Sequence, residues 1–173
     1  MQTSIESHCF NAVVNTLKDM AHAGVFRGRV GDTLDRVRPA AIVSCYGKSG
    51  TEISLPTPGF IVTYLSHDRS SDAGENNSDL GIVRILVQLV DQTTNEDGKN
   101  ANTYFTWISA CRDWILDGAL EGAPEGIGHV YDTHVASSLR PDEREWALLS
   151  KMKMHFTVDC YTKTLRTKDQ ISA

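Results

Sequence analysis

Apolar and polar positions along the chain follow two periods. From Gly81 to Asp91 the sequence Gly-Ile-Val-Arg-Ile-Leu-Val-Gln-Leu-Val-Asp is the densest aliphatic run. Its β-branched residues crowd a helical turn but pack well on a pleated surface, and Ser78, Gly81 and Asp91 supply turn chemistry at its ends. The run predicts the central strand of a single sheet. Val83, Ile85, Val87 and Leu89 form an unbroken apolar face, and Ile82, Arg84, Leu86, Gln88 and Val90 a mixed one, so one face is expected under helices and the other partly wet. Near the C-terminus Met154, Phe156, Val158 and Cys160 alternate strictly with Lys153, His155, Thr157 and Asp159, the pattern of a half-buried strand.

The second period is helical. Ile5, Cys9, Val13, Leu17 and Met20 recur at three-to-four spacing after Thr3 and Glu6, which fit a capping box, and Gly24 offers a left-handed stop, so a helix is predicted over 4–23. Tyr104, Trp107, Ile108, Cys111, Ile115 and Leu120 make a second stripe, with Asn102 as N-cap and Gly118 and Gly122 at its end. Between these lie a short strand over 25–30 stopped by Gly31-Asp32, a polar and basic loop to Arg38, and a strand over 40–46 led by Pro39. Further strands are expected over 60–65 and 127–136, and Pro141 with Asp142, Glu143 and Glu145 marks a short third helix. An extended loop or hairpin excursion occupies about 51–79. Its polar part, 68–79, has almost nothing to bury and is either a binding arm or surface decoration. The tail after 166 is expected to be loose. The sum is an α+β fold in a single domain over 1–173: one mixed, mostly antiparallel sheet, with two main helices packed on one face and a short third helix.

Composition narrows the function. With 173 residues, 40% of them apolar, the chain can build one ordinary core that buries roughly 70% of its unfolded surface. The net charge of -5 argues against a protein whose main task is gripping nucleic acid, which needs a basic face, although Arg27, Arg29, Arg36 and Arg38 cluster locally. Four cysteines, Cys9, Cys45, Cys111 and Cys160, show neither a CxxC pair nor the spacing of a disulfide framework, and are expected to be reduced and mostly buried. The N-terminus lacks the blocks of a secretion signal and no apolar run is long enough to span a bilayer, which points to a cytoplasmic site of synthesis and no membrane partner.

Candidate chemistry is sparse. Gly47-Lys48-Ser49 follows a predicted strand as in a phosphate-binding loop, but Ile42 stands where that motif needs its first glycine, and Pro56 and Pro58 follow closely, so a surface turn is expected and no cofactor. His129 and His134 are five apart, which on a regular strand puts them on opposite faces, so no metal site is expected. Asp132 and His134 share a face but have no placed nucleophile. Trp107 is assigned to the core; Trp114, seven residues on, is left open between core and interface.

The succession of elements resembles that of the tail-terminator, or tail-completion, proteins of long-tailed bacteriophages. The residues carrying it are Val25-Phe-Arg-Gly-Arg-Val30 leading to Arg38-Pro39-Ala-Ala-Ile-Val43, the strand Val83-Arg-Ile-Leu-Val-Gln-Leu-Val-Asp91, Tyr104-Phe-Thr-Trp107 opening the next helix, and Leu139-Arg-Pro-Asp142 before the final strand. The resemblance covers nearly the whole chain as a pattern of elements. It implies a virion protein, assembled in the host cytoplasm, that closes as a ring, commonly a hexamer, on the finished tail tube. There it stops elongation and presents the joint to the capsid neck. Its partners would be further copies of itself, the tail tube protein and a neck or head-completion protein, with genome DNA passing through the lumen without specific binding. Candidate contacts to a neighbouring subunit or partner are Phe60, Ile61, Tyr64, Leu65, Arg27, Arg29 and Trp114. Competing readings are a neck adaptor between portal and tail, a small cytoplasmic enzyme around Asp91, Asp132 and His134, and an accessory domain binding one partner through the excursion.

Overall fold

The first helix, α1, runs Ile5–Ala23 in a computed structural model that describes residues 4–30, 33–45, 56–70, 78–91, 101–119, 128–138 and 152–165. Its N-cap is Ser4, whose Oγ accepts a hydrogen bond from the Ser7 amide at 3.2 Å. The expected cap, Thr3, lies outside the described residues. Gly24 ends the helix at φ 74°, with its amide bonded back to Ala21, the left-handed stop that only glycine adopts without strain. The stripe Ile5, Cys9, Val13, Leu17 and Met20 is buried.

Two short strands follow, β1 (Arg27–Val30) and β2 (Thr33–Arg36), paired antiparallel as a separate two-stranded sheet. The described residues therefore form two sheets, not the single one the pattern predicts. Thr33–Arg36 is too short to show a period, and its strand character comes from backbone pairing to β1. Pro39–Ala41 is a 3-10 turn with proline at its start, so β3 (Ile42–Cys45) begins later than expected.

The main sheet adds β4 (Gly59–Ser70), β5 (Ser78–Val90), β6 (Gly128–Ser138) and β7 (Met152–Leu165) in the order β3-β4-β5-β7-β6, parallel between β3 and β4 and antiparallel elsewhere. The run that dominates the sequence is its central strand. Much of the polar excursion is also sheet: β4 continues to Ser70 because its backbone pairs with β5 as far as Leu80. Residues 51–55 and 71–77, the Gly47–Gly50 turn, the Pro141 helix and the tail after 166 lie outside the described residues. Among the described strands one residue is extra in three places, at Leu65 in β4, at Tyr131 in β6 and at Lys153 in β7, where the register shifts by a bulge.

Helix α2 (Ala101–Trp114) passes into a π-helical turn over Ile115–Ala119. Asn102 lies inside it instead of capping it. Val83, Ile85, Val87 and Leu89 of β5 are fully buried while Ile82, Arg84, Leu86 and Gln88 are half-buried, the asymmetry the sequence predicts, except that Val90 of the mixed face is also buried. The buried face joins the stripes of α1 and α2 in one hydrophobic cluster, and α1 touches all five strands of the main sheet. Trp107 is deep in that cluster. Its Nε1–H donates to the Arg27 carbonyl at 3.1 Å and its ring meets Phe26 edge-on at 5.9 Å, which ties the β1–β2 hairpin to the core. The buried carboxylate of Asp91, just past β5, accepts a hydrogen bond from the Tyr104 hydroxyl of α2. Of the cysteines, those whose side chains are described, Cys9, Cys111 and Cys160, are free and buried. Burial pushes the Cys111 thiol up, and the Cys160 thiol is raised by its hydrogen bond with Cys9 and by burial, so both stay protonated and unreactive.

Candidate functional site

A bulge decides which polar residue of β4 enters the core. Phe60, Val62 and Tyr64 alternate toward the cluster, and a regular strand would send Ser66 after them. With Leu65 unpaired, the phase slips and His67 takes that face, opposite Val83. Its side chain is 4% exposed, a position that demands hydrogen-bond partners.

The partners come from two other elements, α1 and β7. Glu6, in the first turn of α1, places Oε1 2.6 Å from His67 Nδ1 and 2.8 Å from an Arg69 guanidinium nitrogen. Thr162 Oγ1 of β7 lies 3.4 Å from His67 Nε2 and donates to the Gly81 carbonyl of β5 at 3.3 Å. Gly81 makes the room: a Cβ there would stand 2.6 Å from His67 Nε2 and 2.9 Å from the Asp68 carbonyl oxygen. Burial works to raise the Glu6 carboxyl, but hydrogen bonds from His67, its own backbone, Ser4 and Arg69 outweigh it and hold it at about 2. An ionised carboxylate only accepts, so the proton between the pair sits on Nδ1. That leaves Nδ1 no lone pair for Arg69 Nε, 3.2 Å away, and Arg69 is held by Glu6. The Tyr64 hydroxyl beside them is pushed up by burial and by the Glu6 charge.

Carboxylate, imidazole and hydroxyl in sequence have the arrangement of an acid–base relay. Access rules out that chemistry. Thr162 is fully buried, so no substrate atom reaches its oxygen. The group works as a clamp, fastening the first turn of α1 to β4, β5 and β7.

The clamp has a pH signature. A carboxyl whose folded pKa lies below its unfolded value contributes stability that is complete above about pH 4.5 and is lost as pH falls toward 2. Screening of this partly exposed group reduces the effect to about 1–2 kcal/mol. Glu6→Gln should therefore lower stability at pH 7 by about that amount and flatten its decline between pH 5 and 2, measured by urea unfolding across that range.

The contacts expected from sequence are scattered. Phe60 and Ile61 are fully buried on opposite faces of β4 and offer no surface to a partner. Tyr64 is half-buried against the cluster. Arg27 is exposed, with its guanidinium over Gly24, and the side chain of Arg29 lies outside the description. Leu65 and Trp114 do stand in solvent.

The enzyme constellation is not assembled. Asp132 pairs opposite Tyr161, which pairs opposite Ile82, and nine residues of β5, about 30 Å at about 3.3 Å per residue, separate that row from Asp91. Asp132 bonds its own neighbour's amide, Thr133, at 2.8 Å. His129 and His134 share a face, contrary to the five-residue spacing, because the bulge at Tyr131 absorbs one residue. They are joined through rings, His129 to Tyr131 to Tyr161 to His134, at 6.2–6.4 Å between centroids. Among the described residues no group of His, Cys, Asp and Glu is placed to hold a metal. No protein-family model and no curated protein sequence matches the chain.

Proposed function

We propose that this protein is a tail-terminator component of a long-tailed bacteriophage, a ring-forming subunit that caps the completed tail tube, ends its growth and provides the joint to the capsid neck. The observation carrying the reading is the set of large apolar side chains left in solvent on separate elements: Leu65 on β4, Phe105 and Trp114 on α2, Leu116 just beyond it, and Tyr131 on β6. A cyclic assembly needs two unlike patches on every subunit, and large apolar and aromatic side chains are the usual anchors of such contacts. The resemblance found in the sequence points the same way. A net charge of -5 suits a collar through which DNA must slide, since a phosphate-gripping lining would retain it.

The mechanism is geometric. Copies of the chain, commonly six in the family it resembles, close on themselves; one rim seats on the tail tube protein and the other offers a surface to a neck or head-completion protein. No bond chemistry is involved. Negative-stain images of the purified protein should show rings with a central hole, and mixing with tail tubes should place them at tube ends. A chain that stays monomeric at high concentration and ignores tube ends overturns the proposal, and attachment to capsids instead of tails moves the protein to the neck.

A further inference from the structure

Among the described residues the main sheet has two open margins. β3 pairs with β4 only from Phe60 to Thr63, so from Tyr64 to Ser70 no described strand lies on that side. At the other margin β6, 11 residues long, pairs with β7 and with no further described strand. Each margin carries a bulge, and each bulged residue is large, apolar and exposed: Leu65 at 48% and Tyr131 at 52%. Bulges re-aim side chains and, with charges, keep an edge from pairing indiscriminately. The charged groups here are Asp68 and Arg69 on the first margin, and Asp132 on the second, flanked by His129 and His134. Both margins thus offer donors and acceptors, and each has a single apolar knob.

Strand direction makes the margins compatible. β4, β5, β7 and β6 are successively antiparallel, so β4 and β6 run in opposite senses. A rotation about an axis along the strands preserves those senses, and the β6 of one copy then meets the β4 of the next antiparallel, the commoner pairing. We infer that the lateral contact between subunits joins the β6 edge of one copy to the open half of β4 in a second copy of this chain, anchored by Tyr131 and Leu65. The inference rests on the ring reading and names the surface that closes it.

Such a contact is heterologous, and mixing tests it. Leu65→Lys spoils only the β4 margin and Tyr131→Lys only the β6 margin. Each full-length variant alone should be monomeric by light scattering, while retaining cooperative thermal unfolding. A one-to-one mixture should form dimers, trapped with a short bifunctional cross-linker, because Leu65→Lys keeps a good β6 edge and Tyr131→Lys a good β4 edge. Should either lysine variant lose cooperative unfolding, Leu65→Ser and Tyr131→Ser carry the same comparison. Rings that persist in both variants, or a mixture that stays monomeric, overturn the edge assignment while leaving the ring in place. A wild-type chain that is itself monomeric overturns the ring reading and this inference with it.

Discussion

Trp107→Ala should lower the free energy of unfolding by about 3–5 kcal/mol and the thermal midpoint by roughly 6–20 °C for a chain of this length. The indole is almost wholly buried, packs edge-on against Phe26 and Tyr104, and donates its N–H to the Arg27 carbonyl. Alanine removes the packing, leaves a cavity, and strands an acceptor, and these costs add. Trp107→Phe should fall between the two, since it restores most of the ring but not the donor. Urea unfolding at an unchanged m-value is the measurement. An alanine variant that melts like the parent would remove this side chain from the core.

Phe60→Ala should cost a similar amount, about 3–5 kcal/mol, and should do so in the isolated subunit. That second condition separates the two roles considered for this residue. A contact between subunits would leave the monomer's stability alone and weaken assembly. A core side chain at 0% exposure, tilted against Phe26 at 5.0 Å between centroids, weakens the monomer itself. Because Phe26 also meets Trp107, the pair Phe26 and Phe60 should be coupled by about 0.5–1.5 kcal/mol in a double-mutant cycle. Additive effects would mean that the rings do not touch.

The segments legible in the sequence are those whose packing partner is a whole apolar face. β5 and β7 follow from alternation and α1 from its stripe, because a continuous buried surface imposes its period on every residue facing it. The segments that were not legible owe their form to partners distant in the chain. Thr33–Arg36 and the polar half of β4 are strands because neighbouring backbones pair with them, and their side chains carry no sign of it. A bulge is a single residue out of phase. At Leu65 it turned His67 inward, and at Tyr131 it brought His129 and His134 to one face, and neither shift leaves a compositional trace. Glu6 looked like half of a capping box; with Ser4 as the cap, its carboxylate reaches a histidine 61 positions away. The apolar run at Phe60-Ile61 suggested a surface anchor, yet both residues are enclosed.

The sheet order also has a consequence for how the chain is made. The ribosome finishes β5 at Val90 long before it finishes β7 at Leu165, and the roughly 75 residues between them take about 4–15 s at about 5–20 residues per second. For that interval the molecule's most aliphatic strand has β4 on one side only, and its other flank stays unpaired at the edge of a partial sheet of β3, β4 and β5. Nascent chains crowded on one messenger can pair through that unsatisfied flank before the rightful strand emerges. The yield of folded subunit should therefore decline as expression is driven harder.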